Sequence, residues 1–205
     1  MATPPKTAIL LVDPYNEFIH PEGKMYPAVS ASLKEANTVK HLQKMVKAAH
    51  SHKIPIYYCL HQQYTPTAFQ GWQHPTALQT GQNTNKVFEE GSWGAKVFEG
   101  LEPDLNNGDI MVSKHWSGSS FANTDLDYQL RQRGVTDLVI AGLVANTCIE
   151  STARYAYELG YQVTLLSDAT AGFSIEQKHA ATDITWSLFG NVVTTSEYVA
   201  TLSDK

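Results

Sequence analysis

DLVIAGLVANTCIESTARYAYELGYQVTLLSD, residues 137–168, reads as strand, helix, strand. The run DLVIAGL (137–143) is continuously apolar rather than alternating, the pattern of a parallel strand covered on both faces. Ile149, Ala153, Ala156 and Leu159 then recur at three- and four-residue steps, and Gly160 supplies a stop. QVTLLSD (162–168) is a second apolar run. A helix joining two parallel strands is a right-handed crossover, the unit from which open α/β sheets are built.

Working outward, the same punctuation recurs. Further apolar runs are TAILLVD (7–13), PIYYCLH (55–61), DIMVSKH (109–115) and the less regular VVTTSEYV (192–199). Between the first two, Val29, Leu33, Ala36, Val39, Leu42, Val46 and Ala49 mark an amphipathic helix, with Ser32 and Glu35 as a capping box. Thr124 with Asp127 and Ser174 with Gln177 open two more helices. The expected fold is α/β: a Rossmann-like three-layer α/β/α arrangement around a central, mostly parallel six-stranded sheet, as one domain over residues 1–205. Residues 62–108 stand apart, rich in Gln, Asn, Gly and Trp and without a period. So long a connection is a pocket wall or lid, or else a surface excursion or subunit contact.

Bulk properties narrow the function classes. A net charge of −5 leaves no basic footprint for nucleic acid. No apolar run approaches the ~20 residues that cross a bilayer, and MATPPKTAILLVDP lacks the charged and apolar regions of a secretory signal. A cytoplasmic protein acting on a small molecule is expected, with no membrane or nucleic-acid partner. Charged residues make up 17% of the chain, against about 25% in average soluble proteins. Such a surface suits subunit contacts, so a homo-oligomer, dimer or tetramer, is expected. Two cysteines, Cys59 and Cys148, are too few for a disulfide framework.

Ligands of open α/β sheets bind outside the carboxyl ends of the strands. Asp13 ends the first run, Lys114 lies near the end of the third, and Cys148 follows the fourth by five residues. Thr147 and Glu150 read as a capping pair that makes Cys148 the first helical residue. Backbone N–H groups and the positive helix end there would lower the thiol pKa, and the same groups would hold an oxyanion. The plainer alternative is a buried, inert cysteine. Asp13 could equally cap a turn and Lys114 point to solvent, but base, cation and nucleophile together make an activated-nucleophile constellation. His61, His74 and Cys59 are a weak metal signal, and His115, on the face opposite Lys114 by strand parity, reads as structural.

Three stretches resemble the isochorismatase-like cysteine hydrolases. LLVDPYNEF (10–18) is similar to the family's opening motif, GDIMVSKHWSGSSFANTDLDYQLRQRG (108–134) to its lysine motif, and LVIAGLVANTCIESTARYAYELGYQVTLLSDATAGF (138–173) to its cysteine signature. The resemblance implies a triad of Asp13 as proton acceptor, Lys114 as cation and Cys148 as nucleophile. It also implies a cis peptide at Val144–Ala145, aiming the N–H groups of Ala145 and Cys148 at an oxyanion. Nicotinamidase-type members carry Asp-x-His after the second strand, where this chain has Cys59-Leu60-His61. The missing carboxylate points to a metal-independent enzyme without cofactor. Isochorismatases proper have glycine in place of Cys148, so a retained thiol points to amide or ureido hydrolysis through a thioester. Vinyl-ether hydrolysis by Asp13 and Lys114 is the alternative, and a non-catalytic member the third reading. Phe18, His61, Trp93, Trp116, Phe121, Val144 and Asn146 are the expected substrate-binding residues.

Overall fold

The computed structural model describes residues 6–203. Strands β1 (Thr7–Val12), β2 (Ile56–Cys59), β3 (Ile110–Met111), β4 (Asp137–Leu143), β5 (Gln162–Ala171) and β6 (Asn191–Val193) form one sheet ordered β3-β2-β1-β4-β5-β6. Every pairing is parallel. The chain works outward from β1 in one direction, then crosses to β4 and works outward in the other. The crevice at that reversal, beyond the carboxyl ends of β1 and β4, is where such sheets bind ligands.

Alternation along β1 divides the core. Ile9 and Leu11 face helices α1 (Asn16–Ile19), α2 (Tyr26–Glu35), α3 (Thr38–Ser51) and α8 (Thr195–Ser203), in one cluster with Ile19, Leu33, Leu42, Met45 and Leu202. Ala8, Leu10 and Val12 face α5 (Leu126–Gln132) and α6 (Glu150–Glu158) through Leu126, Leu130, Ala153 and Ala156. This is the three-layer, six-stranded arrangement that the apolar runs imply. Among the described residues no helix is long and apolar enough to cross a membrane.

Local chemistry moves several boundaries. The helix expected across 29–49 breaks at Asn37, whose φ of 52° separates α2 from α3. Ser32 is therefore inside α2 rather than at a helix start, and its hydroxyl accepts the Gly172 N–H at 3.0 Å instead of forming a capping box. In the last apolar run only 191–193 is strand. Thr194 and Glu197 form a reciprocal cap, Glu197 Oε2 accepting the Thr194 N–H at 2.7 Å and Thr194 Oγ1 the Glu197 N–H at 3.2 Å, which turns the chain into α8. The Ser174 cap of the short α7 (Ile175–His179) is present as expected, its hydroxyl accepting the Gln177 N–H at 3.1 Å.

Gly142 lets β1 and β4 approach at the site. It pairs with Val12, its φ is +121°, and a Cβ there would overlap the Val12 carbonyl oxygen. Gly142→Ala should accordingly destabilise the protein by about 3 kcal/mol or more, through a backbone clash and a strained φ together. Urea unfolding checks this: a large drop in midpoint with unchanged slope is expected, whereas a midpoint within 0.2 M (roughly the reach of ordinary surface substitutions) would refute it.

Candidate active site

The site starts where β1 stops. Asp13 follows Val12 with φ 50°, a left-handed turn that aspartate tolerates better than most side chains. Its N–H donates to the Cys59 carbonyl at 2.9 Å and its own carbonyl accepts the Tyr15 N–H at 2.7 Å, so the turn is held on both sides. The carboxyl group, 1% exposed, faces the crevice floor. Oδ1 accepts the His61 N–H at 2.6 Å and stands 3.2 Å from His115 Nε2. Oδ2 is buried without a well-formed hydrogen bond.

His115, not Lys114, is the basic side chain beside Asp13. The reason is one extra residue. The Val112 N–H donates to the Tyr58 carbonyl of β2, but the next donor, reaching the Leu60 carbonyl just past β2 at 3.0 Å, is the His115 N–H. Two residues along β2 and its extension therefore oppose three of the incoming chain, and the bulge exchanges the faces that strict alternation would assign. Ser113 anchors the bulge, since its N–H and hydroxyl both donate to Asp125 Oδ1 at 2.8 Å. Lys114 is turned out of the cavity lining, and among the described residues it makes no ion pair.

Both ring nitrogens of His115 face groups that only accept: Nε2 the Asp13 carboxylate, and Nδ1 the Ser117 carbonyl. Imidazolium is the form that satisfies both. Burial disfavours that charge, but the Asp13 carboxylate, by charge and by hydrogen bond, and the Ser117 carbonyl outweigh it and raise His115 above the ordinary histidine value. His61, whose ring lies 5.0 Å from that of His115, moves the other way: burial lowers it against the pull of Asp13, and His115 adds to the lowering.

Cys148 comes from the far side of the reversal. After β4, a cis peptide joins Leu143 to Val144, one bond earlier than the resemblance implies. The Val144 carbonyl is already the first acceptor of the next turn, taking the N–H groups of Thr147 at 3.1 Å and Ile149 at 3.2 Å. That turn, Ala145–Ile149, is a wide π-helical one preceding α6. Thr147 consequently does not cap a helix, and its hydroxyl donates to the Val144 carbonyl at 3.3 Å. The expectation of a lowered thiol pKa is also overturned. Burial, then the charge and hydrogen-bonding contact of Asp13, push the Cys148 thiol well above its ordinary value, against the lowering by Thr147 and the Val144 backbone. The resting group is a thiol with a carboxylate beside it.

Asp13, His61 and Cys148 line one cavity of about 280 Å³. Phe18, Trp116 and Val144 line it as expected. Three other expected residues do not. Trp93 is 44% exposed and packs edge-on against His20 at 4.7 Å. Phe121 is buried in the core against Tyr155 at 5.8 Å. Asn146 turns towards Gln177, at 3.4 Å. Ala145, the first residue of the π-helical turn, is itself buried.

The unpatterned segment supplies a whole wall. Within it, α4 (Ala77–Asn85) opens with a true capping box, the Thr76 hydroxyl accepting the Gln79 N–H at 3.3 Å and Gln79 Oε1 accepting the Thr76 N–H at 2.9 Å. The Thr76-x-x-Gln79 pattern was the readable signal for this helix. Leu78, Gln79, Gln82 and Asn85 of α4, with Val87 and Phe88 after it, face the cavity. Phe69 and Trp72 pack on Trp116, at 6.3 and 5.3 Å, holding that ring at the mouth. Met25 and Phe173, also lining, carried no sequence signal beyond being apolar. The possible metal ligands are not brought together: Cys59 is in the core, His74 is exposed, and among the described residues no group of three such side chains gathers. That set does not fit a metal.

Several known proteins resemble this chain in sequence and in fold. The isochorismatase domain model matches residues 7–197. A ureidoacrylate amidohydrolase of Caulobacter segnis is 32% identical over 97% of this chain and 86% of its own length. The crystal structure of a cysteine hydrolase from Pseudomonas syringae pv. phaseolicola superposes with TM-score 0.83 at 27% identity, covering 99% of this chain and 95% of that one. N-carbamoylsarcosine amidase from Thermoplasma acidophilum superposes at 0.66 with 25% identity, over 93% and 96% of the two chains.

Proposed function

The chain belongs to the isochorismatase family, and from that premise we propose that it hydrolyses the C–N bond of a small carboxamide or ureido compound through a thioester on Cys148. The names of its relatives, amidohydrolase and amidase, support the hydrolysis of non-peptide C–N bonds. The observation that carries the thioester is a thiol and a buried carboxylate facing one cavity, with the carboxylate fixed by His115 and a backbone N–H.

The substrate carbonyl docks against the backbone N–H groups of Ala145 and Cys148. Because the thiol pKa is raised, ionisation accompanies attack: Asp13 Oδ2 takes the thiol proton as sulfur bonds to the carbonyl carbon. The tetrahedral oxyanion collapses, Asp13 returns its proton to the leaving nitrogen, and ammonia or an amine departs. Water then enters, gives a proton to Asp13 and attacks the thioester. The second collapse releases the acid, and the proton on Asp13 passes back to sulfur. His115 stays protonated throughout and aims the Asp13 carboxyl group through Oδ1, the role the family resemblance gives to lysine.

Hydroxylamine tests the intermediate. Added during turnover of a carboxamide, it should divert the acyl group to a hydroxamate while ammonia release continues, and acid-quenched protein should carry the acyl mass on the Cys148 peptide. Ammonia release with neither hydroxamate nor acylated Cys148 would mean direct attack by water.

A further inference from the structure

Resting on that reading, we infer that the cavity selects an uncharged amide with an apolar body and rejects amides that carry a carboxylate. Among the described lining residues the one carboxylate is Asp13, and no lysine or arginine is present. Histidine does not replace them. His61 is shifted towards its neutral form, and His115 spends its charge on Asp13. Two lysines adjoin lining residues in sequence: Lys24 is engaged with the Lys86 carbonyl at 2.7 Å and with Glu17 at 3.7 Å, and Lys86, at the left-handed end of α4, is exposed and outside the lining.

What the walls offer instead is neutral. Gln79, Gln82 and Asn85 recur at three-residue steps along α4 and line one face of the cavity, their uncharged amides held by donation to the Trp116, Gln62 and Gly81 carbonyls. Phe18, Met25, Val87, Phe88, Trp116 and Phe173 supply apolar surface. A volume of about 280 Å³ suits a small molecule. A carboxylate entering would give up its water without meeting a counter-charge, and would face Asp13, which must be ionised to act. An alkyl or aryl body gains by leaving water there. The same field acts on the product. Hydrolysis creates a carboxylate next to Asp13, and that repulsion drives the acid out.

The pair 4-methylbenzamide and 4-carbamoylbenzoate tests this, being close in shape and different in charge. Wild-type kcat/KM should favour the methyl compound by about 10²-fold or more. Leu78, which lines the mouth and is 62% exposed, accepts a longer side chain without a core clash. Leu78→Arg should narrow the ratio about tenfold, chiefly through turnover of the carboxylate. Equal rates, or a preference for the carboxylate, would overturn the inference while leaving C–N hydrolysis standing. An unchanged ratio in Leu78→Arg would also overturn it, since selection would then rest on shape. Turnover of neither compound, nor of unsubstituted benzamide or propionamide, with no acyl group on Cys148, would overturn the hydrolase reading itself.

Discussion

Cys148→Ala should abolish ammonia release from every amide that the wild-type protein turns over, a loss of about 10⁶-fold in kcat. The size follows from the division of labour at the site. Asp13 and His115 hold and move a proton, and in the proposed mechanism neither bonds to the carbonyl carbon in place of sulfur. What survives the substitution is docking at backbone N–H groups, which alone leaves a small residue of catalysis over water. The fold should be unaffected, because the thiol borders the cavity rather than filling the core, and the urea midpoint of the variant checks that. The experiment separates the chemistries open to this fold. Vinyl-ether hydrolysis needs a proton donor and no nucleophilic thiol, so a Cys148→Ala protein that still cleaves isochorismate, while wild type releases no ammonia from amides, would reassign the reaction. A wild-type protein inert to both, with an unreactive thiol, would match a non-catalytic member.

The second large effect is expected at Asp13. Asp13→Asn keeps the shape, removes the proton acceptor and leaves His115 without its counter-ion, so kcat/KM should fall by about 10³- to 10⁴-fold. The pH profile carries the finer information. His115 is raised above the ordinary histidine value, so imidazolium persists to higher pH than in an unperturbed histidine, and activity should decline as rising pH removes that proton. His115→Lys should move the alkaline limb upwards, since an ammonium keeps its proton longer, whereas His115→Gln should remove the limb at a lower plateau. An identical alkaline limb in His115→Lys would show that another group sets it. Stability follows the same protonation. The contribution of the His115 cation is fully present below the unfolded histidine pKa and is lost as pH rises through the raised folded value.

Residues whose role depends on position along the chain were legible in the sequence. Continuous apolar runs marked β1, β2, β4 and β5, because strands buried on both faces leave no alternation to obscure them. Asp13 stood out because a carboxylate terminating such a run must be paired or used, and it is both hydrogen-bonded and cavity-facing. Cys148 stood out because it follows β4 at the start of a helical pattern.

Roles that depend on which side chains meet across the sheet were decided by the tertiary structure. Lys114 and His115 are neighbours, and strand parity favoured the lysine. A single-residue bulge against β2, tied down by Asp125 from twelve residues away, gave the place to histidine. No local pattern announces such a bulge, because its cause is a pairing register between distant segments. The thiol pKa went the same way. A helix start lowers it in isolation, but burial beside Asp13 raises it, and that proximity exists only once β1 and β4 lie side by side. The character of the cavity likewise comes from α4, a polar helix without a strong apolar stripe, whose amide side chains became a wall when the chain folded back over the strand ends. One-dimensional order thus determined the scaffold and two of its reactive groups, while contacts between segments far apart in sequence determined the charge, the proton affinities and the shape around them.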